Sequence, residues 1–274
     1  MEKMFSVLMS VYINETRENF IECMESLLAQ TVMPTEIVVV KDGPITQKLD
    51  ATMDEYHQRY PELIRIVGYE KNRGLGYALA YGVKSCKYEL IARMDTDDIA
   101  RKDRFEKQLK EFWDNPELMI CGSHIIEFVG LPQNVKAHRC VPLEDEQIRR
   151  NGKWRNPFNH MTVMFRKSKI LEIGSYESCL LMEDYVLWAK ALKSHLGLVK
   201  NIDDYLVYAR AGDGLMERRG GISYLKKYIA GKQRMMEIGY INFFQFFFSI
   251  LSQFIVSTLP LDMRTFMFAK FLRS

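Results

Sequence analysis

The feature that most constrains this chain is an alternation between short apolar runs and segments with helical spacing. Apolar runs fall at residues 5–12, 36–40, 63–67 and 89–94, and apolar side chains recur every three or four positions at 20–28 and 75–86. Short continuous apolar runs are typical of strands covered on both faces. Their alternation with helices predicts right-handed βαβ units, so the expected fold class is α/β, a mostly parallel sheet flanked by helices.

The second half of the chain is less regular. Its pattern predicts helices at residues 104–114 and 185–192 and strands at 118–123 and 161–165. From Gly220 the composition turns basic and then strongly aromatic. We therefore expect a main domain over residues 1–219, with halves of about 1–100 and 101–219, and a helical tail over 220–274.

Charge and cysteine content exclude several classes of protein. Lys and Arg number 38 against 35 Asp and Glu, a net charge of +3, which is too balanced for a protein that coats nucleic acid. The five cysteines form no C-x-x-C pair. We expect reduced thiols in a cytosolic compartment and no zinc site.

The sequence Asp95-Thr96-Asp97-Asp98 directly follows the fourth apolar run. Three carboxylates in four positions repel one another, and a hard divalent cation such as Mg²⁺ or Mn²⁺ removes that repulsion. The alternative is a solvated turn or an N-cap for a helix beginning near Ile99. Because ligands bind at the carboxyl ends of parallel strands, we favour the metal site.

Two other segments follow predicted strands. Asp42 precedes Gly43, where a carboxylate could accept a hydrogen bond from a nucleobase or ribose, although a plain turn explains Asp-Gly-Pro equally well. Asn72 and Arg73 precede Gly74 and Gly76, but the glycine spacing fits neither a dinucleotide loop nor a P-loop. A tight loop that opens a helix with Asn72 and Arg73 facing a nucleotide remains open.

Further candidates lie in the second half. Glu183 and Asp184 begin a predicted helix, either as a cap or as a general base for an acceptor hydroxyl. His160 enters a predicted strand, where it could touch metal or phosphate or be merely structural. Arg210 and the pair Arg218-Arg219 flank a glycine-rich stretch, which suits either a lid over a diphosphate or a solvated basic loop.

Residues 241–259 carry no formal charge over nineteen positions. Asn242, Gln245, Ser249, Ser252, Gln253 and Ser257 form one polar stripe, and phenylalanines with aliphatic side chains cover the rest. Such a stripe would be unsatisfied in a lipid-buried span. The basic flanks, Lys226, Lys227 and Lys232 before it and Arg264, Lys270 and Arg273 after it, favour a helix in the plane of an anionic membrane surface. Packing on protein is the alternative.

Taken together, these motifs resemble the family 2 glycosyltransferases with the GT-A fold, especially bacterial enzymes that build capsule, O-antigen or exopolysaccharide units. The matching stretches follow the family's order over about the first two hundred residues: 6–12, 36–43, 72–74, 93–98, 159–160 and 183–188. Two positions depart from the family pattern. Val11 stands where proline is frequent, and Lys41-Asp42-Gly43-Pro44 stands in place of Asp-Asp-Gly-Ser.

The resemblance implies a role for each candidate. Asp97 would be the main ligand of Mn²⁺ or Mg²⁺, with Asp98 beside it. Asp184, with Glu183 next to it, would take the proton of the acceptor hydroxyl. Asp42 would hold the base, expected to be uridine. The nucleotide-sugar site as a whole would comprise Tyr12, Asp42, Asn72, Arg73, Asp95, His160 and Arg210.

The activity implied is inverting, metal-dependent transfer from a nucleoside diphosphate sugar to a saccharide acceptor carried on a polyprenyl diphosphate. We expect the enzyme on the cytoplasmic face of the cell membrane, bound peripherally. Two alternatives remain at this level: a metal-dependent nucleotidyltransferase with the same cleft, and a non-catalytic sugar-nucleotide-binding or scaffold subunit at the membrane.

Overall fold

The computed structural model of the chain describes residues 4–179, 181–212 and 221–259. Nine strands form one sheet in the order β3-β2-β1-β4-β8-β6-β9-β5, with β7 beside β6. Their bounds are β1 Phe5–Val11, β2 Glu36–Asp42, β3 Ile64–Tyr69, β4 Leu90–Arg93, β5 Ile99–Ala100, β6 Leu118–Phe128, β7 Val135–Arg139, β8 Met164–Arg166 and β9 Leu198–Arg210.

Nine α-helices and one 3₁₀ helix occur in the described ranges. The α-helices are α1 Arg17–Leu28, α2 Gln47–Arg59, α3 Leu75–Ser85, α4 Arg104–Asp114, α5 Asp145–Asn151, α6 Lys167–Glu172, α7 Glu183–Ser194, α8 Gly221–Glu237 and α9 Phe243–Thr258. The 3₁₀ helix is His160–Thr162. The α/β fold class predicted from the sequence is confirmed.

The four amino-terminal strands run parallel, as their apolar pattern predicts. Alternate residues of β1 enter two separate cores: Val7 and Met9 pack with α1 and α4, whereas Leu8 packs with α3 and α7. A Cβ on Gly82 of α3 would lie 2.3 Å from the Leu8 side chain, so only glycine allows this helix to lie so close to the sheet. Beyond β4 the sheet is mixed, because β8 runs antiparallel to both β4 and β6.

Two local expectations were wrong. Residues 161–165 do not form one strand, because the first of them belong to the 3₁₀ helix and β8 begins at Met164. The Thr162 hydroxyl donates to the carbonyl of Asn159 and accepts from the backbone N–H of Ser123, which fixes this turn. No helix begins near Ile99 either. Ile99 and Ala100 form β5, which pairs with β9, and α4 begins at Arg104.

The two carboxy-terminal helices pack on the rest of the molecule in sequence: α8 on α7, and α9 on α8. Gly231 and Lys232 of α8 are buried in the first contact. On α9 the buried residues are Ser249 and Ser257 of the polar stripe. Phe246 of this helix packs against the core. Seven other apolar side chains of α9 are exposed, each between 43% and 70%: Phe243, Phe244, Phe247, Phe248, Leu251, Phe254 and Ile255.

Within the described ranges, no helix has the length and hydropathy needed to cross a membrane. The boundary expected at residue 219 and the pair Arg218-Arg219 lie outside the described residues, as do Arg264, Lys270 and Arg273. The division into a main domain and a tail therefore stays a prediction.

Candidate active site

Three aspartates converge at the carboxyl end of β4. The strand ends at Arg93, and the turn that follows leads into β5. Each of Asp95, Asp97 and Asp98 offers a carboxylate oxygen, and these oxygens all lie within 4.8 Å of one another. We call these three residues the aspartate cluster. The structure thus brings all three carboxylates together at the end of β4, the place that the sequence analysis favoured for a metal site.

The aspartate cluster carries negative charge in a poorly solvated place. Burial, with Asp95 and Glu15 nearby, raises the pKa of Asp97 to about 7. Burial also raises the pKa of Asp98 well above its ordinary value. One Asp98 oxygen accepts from the backbone N–H of Arg210 at 2.7 Å, and the other has no hydrogen-bond partner among the described residues. Clustered, partly unsatisfied carboxylate oxygens are a donor set that suits Mg²⁺ or Mn²⁺.

Glu15 adds a fourth carboxylate that the sequence analysis missed. It lies in the segment between β1 and α1, and its side chain accepts a hydrogen bond from the Thr96 hydroxyl. Its charge contributes to the raised pKa of Asp97. Because β1 and β4 are parallel neighbours, the residues just past the end of β1 reach the same edge as the aspartate cluster. That rule could have identified Glu15.

Arg93 is a second residue that the sequence analysis missed. Its side chain is 2% exposed and forms an ion pair with Asp95. Nε and Nη1 have no hydrogen-bond partner within the part of the chain that is described. Its charge opposes the rise in pKa of both Asp97 and Asp184. Arg93 therefore lies within electrostatic reach of the aspartate cluster and of the carboxylates at the start of α7.

Glu183 and Asp184 form the first turn of α7. One Asp184 oxygen accepts from the backbone N–H of Tyr185 at 2.7 Å, and the other accepts from Nδ2 of Asn156 at 2.6 Å. Burial raises the pKa of Asp184, and it raises that of Glu183 to about 7. Glu183 Oε2 has no hydrogen-bond partner in the described structure. Both carboxyl groups can therefore hold or release a proton closer to neutral pH than ordinary carboxylates.

Asp42 joins the end of β2 to the loop before α3. Its carboxylate accepts four hydrogen bonds: from the Tyr69 hydroxyl, from Asn72 Nδ2, and from the backbone N–H groups of Arg73 and Gly74, at 2.7 to 3.0 Å. The Arg73 guanidinium lies over the ring of Tyr77, 3.4 Å from its centre. The carboxylate of Asp42 thus fixes this loop in the present structure.

Gly43 allows that arrangement, because it has a φ of +80° and a Cβ there would lie 2.4 Å from the backbone nitrogen of Asn72. Tyr12, just past the end of β1, is 45% exposed and so offers a free aromatic surface near the same edge. The structure brings Asp42, Asn72 and Arg73 together, as the resemblance implies.

Arg210 ends β9 and braces the turn that carries the aspartate cluster. Its Nε donates to the carbonyl of Asp97 at 3.0 Å and its Nη1 donates to the carbonyl of Gly130 at 2.8 Å. The same guanidinium forms an ion pair with Glu22. The charge of Arg210 is thus paired with Glu22, and its hydrogen bonds to backbone carbonyls hold the turn.

His160 contributes no ligand atom to the aspartate cluster. Its Nε2 is 2.9 Å from the Tyr176 hydroxyl, and its ring packs edge-on against Trp188. Burial and the charge of Arg93 hold the pKa of His160 well below its usual range, so the ring is neutral at pH 7. Among the described residues, the only group of three or more candidate metal-ligating side chains is the aspartate cluster.

Comparison with known proteins assigns the family. The sequence profile described as Glycosyl transferase family 2 matches residues 6–174. The chain belongs to glycosyltransferase family 2. The chain is therefore a glycosyltransferase, as the resemblance implied, and the alternatives of a nucleotidyltransferase and of a non-catalytic subunit lose their support.

Two curated relatives match nearly the whole chain. An amylovoran biosynthesis glycosyltransferase, AmsE, from Erwinia amylovora is 37% identical over 97% of this chain and 98% of its own length. An Escherichia coli protein named UDP-Gal:alpha-D-GlcNAc-diphosphoundecaprenol beta-1,3-galactosyltransferase is 35% identical over 98% of this chain and 96% of its own length.

The fold is also similar to that of a solved glycosyltransferase. The mannosyltransferase PcManGT from Pyrobaculum calidifontis, solved with GDP-Man and Mn²⁺, matches with a TM-score of 0.65 and 14% identity. The match covers 97% of this chain and 79% of that one. At this identity the match supports the GT-A fold class.

Proposed function

We propose that this glycosyltransferase moves a sugar from a UDP-sugar to a saccharide carried on a polyprenyl diphosphate, in the synthesis of a bacterial surface polysaccharide. The observation that carries the proposal is the aspartate cluster, whose carboxylate oxygens lie within 4.8 Å of one another, with the charge of Arg93 acting both on Asp97 and on Asp184 at the start of α7. The names of the Erwinia amylovora and Escherichia coli relatives support the substrate classes.

The aspartate cluster suits a divalent cation. Asp97 would be the main ligand of Mn²⁺ or Mg²⁺, with Asp98 beside it and Asp95 within reach, and the unpartnered Asp98 oxygen fits that role. When bound, such a cation neutralises the charge that develops on the departing nucleoside diphosphate. Arg93 holds Asp95 by an ion pair, and Arg210 holds the Asp97 backbone, so both arginines position the carboxylates.

Asp184 is the proposed general base. Asn156 and the backbone of Tyr185 fix its two oxygens, and burial moves its pKa toward the range in which proton transfer from a hydroxyl is efficient. The acceptor hydroxyl gives its proton to Asp184 as its oxygen attacks the anomeric carbon. The bond to the diphosphate breaks on the opposite face of the sugar, so the configuration inverts.

The outward face of α9 is the proposed membrane contact. Seven apolar side chains are exposed on this helix, whereas two serines of its polar stripe are buried. Lys226, on the preceding helix, is exposed and adds positive charge. A helix of this kind binds in the plane of an anionic leaflet, and we propose that it holds the enzyme peripherally on the cytoplasmic face, where it meets a lipid-linked acceptor.

Two substitutions separate donor binding from transfer. Asp97→Asn should abolish Mn²⁺-dependent binding of the UDP-sugar, measured by titration calorimetry. Asp184→Asn should retain that binding but lose transfer by about a hundredfold or more, the size expected for loss of a general base. Asp54→Asn, at an exposed position of α2, is the matched control and should leave both quantities unchanged.

Three results would contradict the proposal. If Asp184→Asn turns over normally, the base lies elsewhere, and Glu183→Gln becomes the variant to test. If the wild-type protein releases pyrophosphate instead of UDP, the reaction is nucleotidyl transfer. If the product keeps the anomeric configuration of the donor, the displacement is not a single inverting step.

A further inference from the structure

A cavity of about 370 Å³ and one of about 280 Å³ lie in the described structure, and the smaller one is lined by Asn156, whose side chain is hydrogen-bonded to the proposed base Asp184. Trp154, in the loop between α5 and the 3₁₀ helix, is one of its walls and is 50% exposed. We call this smaller cavity the Trp154 pocket. Its full lining is Cys140, Val141, Pro142, Asn151, Trp154, Arg155, Asn156 and Pro157.

The Trp154 pocket is continuous with Asp184 through one side chain. Asn156 lines the pocket, and its Nδ2 donates to Asp184 Oδ2 at 2.6 Å, while its Oδ1 accepts from the backbone N–H of Phe158 at 3.3 Å. A group bound in the pocket is therefore separated from the Asp184 carboxylate by the Asn156 side chain. The aspartate cluster contributes no residue to the pocket lining.

The loop that carries Trp154 is fixed from behind. The Tyr185 hydroxyl donates to the carbonyl of Gly152 at 2.9 Å, and Lys232 Nζ donates to the carbonyl of Lys153 at 3.2 Å. Lys232 also lies 3.0 Å from the Tyr185 hydroxyl. Helix α7, which carries the proposed base Asp184, and helix α8 thus both hold this loop. The exposed indole is displayed on a supported loop.

An exposed indole beside polar groups is a suitable surface for a pyranose. The ring of a sugar has an apolar C–H face that packs flat on an aromatic side chain, and its hydroxyls bond to neighbouring amide and charged groups. In the Trp154 pocket, Asn156 and Arg155 supply those polar groups. Asn151 is a third polar residue of the lining, and the rest is Cys140, Val141, Pro142, Trp154 and Pro157, as in pockets that orient small ligands by a few polar contacts.

We propose that the Trp154 pocket binds the terminal pyranose of the acceptor saccharide, stacked on Trp154 and beside Asn156, the residue that holds Asp184. This inference rests on the proposed function. It makes Trp154 a determinant of acceptor affinity with no part in donor binding. The expected signature is a change in the KM for the acceptor alone.

The test uses the full-length chain and two assays. One measures UDP release from UDP-galactose with Mn²⁺ in the absence of acceptor. The other measures transfer to α-N-acetylglucosaminyl diphosphate with a short alkyl chain, a soluble form of the acceptor class in the name of the Escherichia coli relative. Trp154→Ala should raise the acceptor KM about tenfold or more through lost stacking and burial, with acceptor-free UDP release and the donor KM unchanged within about twofold.

Two further variants control for folding and for general loss of an indole. Trp154→Phe keeps an aromatic face, so its acceptor KM should stay within about threefold of wild type. Trp113→Ala removes the indole that lines the larger cavity, beside Met4 and Glu89 at the other end of the sheet, and should leave the acceptor KM unchanged.

The outcomes separate this inference from the proposed function. If the wild-type enzyme transfers the sugar and Trp154→Ala keeps its acceptor KM, the pocket assignment is wrong and the proposed function stands. Equal effects of Trp154→Ala on the donor and acceptor KM would also overturn the assignment. If wild-type enzyme releases UDP but the acceptor does not stimulate it, the acceptor class assigned to the pocket is wrong. If wild-type enzyme releases no UDP in either assay, with UDP-galactose or with other UDP-sugars in its place, the proposed function fails, and the pocket assignment fails with it.

Discussion

Replacing Asp97 with asparagine should make the metal-free protein more stable. The pKa of Asp97 is about 7 in the folded protein, against 3.8 for an ordinary aspartate. The unfolded state therefore loses this proton first, and folding stability falls as pH rises from about 4 to 7, then levels off. With about 1.36 kcal/mol for each pKa unit, the ionised carboxylate costs about 4 kcal/mol above pH 7.

Part of that cost is screened, because Asp97 is not fully buried, so we expect Asp97→Asn to gain about 2–3 kcal/mol at pH 8. The gain should shrink to less than about 1 kcal/mol at pH 4, where the carboxyl is mostly protonated in both states. Urea unfolding in EDTA at the two pH values measures both quantities. Asp54→Asn, at an exposed site on α2, should change the free energy of unfolding by less than about 0.5 kcal/mol.

Mn²⁺ with UDP should reverse the advantage of the variant. A ligand at about a hundred times its Kd stabilises the wild-type protein by about 2.7 kcal/mol, and Asp97→Asn should gain far less. If Asp97→Asn were no more stable than wild type at pH 8 in EDTA, the aspartate cluster would carry no electrostatic cost for a cation to relieve. That result would contradict the predicted stabilisation.

Three other predictions follow from the same contacts. Because Asp97 must lose its proton to bind a cation, the Kd for Mn²⁺ measured by calorimetry should fall about tenfold per pH unit up to pH 7 and then level off. A Kd that stays constant from pH 5 to 8 would contradict the metal site. Burial lowers the pKa of Lys232 to about 7, so between pH 7 and 10 the unfolded state binds one more proton than the folded state, and the stability of the wild-type protein should rise with pH. Lys232→Met should lose this rise when the free energy of unfolding is measured with urea. A variant that keeps the rise would contradict the assignment to Lys232. Replacing both Phe244 and Phe247 on α9 with asparagine should reduce flotation with anionic vesicles about fivefold or more. Leu131→Asn, at an exposed site in the loop after β6, is the control and should float like wild type. Equal flotation of wild type, the double variant and the control would exclude α9 as the membrane contact.

The parts of the fold that the sequence predicted correctly are those with local periodic signals. Strands β1, β2 and β4 are buried and appear as apolar runs, and the polar stripe of α9 shows at three- and four-residue spacing. The aspartate cluster could be placed because it follows β4 within five residues. Helix α2 was not predicted, because it buries only Leu49, Thr52 and Met53 and its apolar pattern is weak.

Contacts between distant segments were beyond sequence reasoning. The antiparallel placement of β8 between β4 and β6 depends on pairings across more than forty residues. The pairing of β9 with β5 brings Arg210 against the backbone of Asp97, and its expected place near the diphosphate stays a prediction. The contact between Asn156 and Asp184 spans 28 positions, and no local pattern announces it.

Arg93 illustrates why charged residues in strands are easily overlooked. The sequence analysis assigned it no role beyond its place in the fourth apolar run, whereas the structure pairs it with Asp95 and leaves two of its nitrogens without partners in the described region. A buried charge needs a nearby opposite charge, so an arginine directly before an acidic cluster is itself a signal. Glu15 could have been found by applying the strand-end rule to β1 as well as β4.

The most direct test of the account is anomalous diffraction at the manganese edge from a crystal grown with Mn²⁺ and UDP. We expect one strong manganese peak in contact with the carboxylate of Asp97 and with that of Asp95 or Asp98. The diphosphate of UDP should lie on the other side of the peak. A crystal with UDP bound and the manganese peak elsewhere, or with no peak beside these three aspartates, would contradict it.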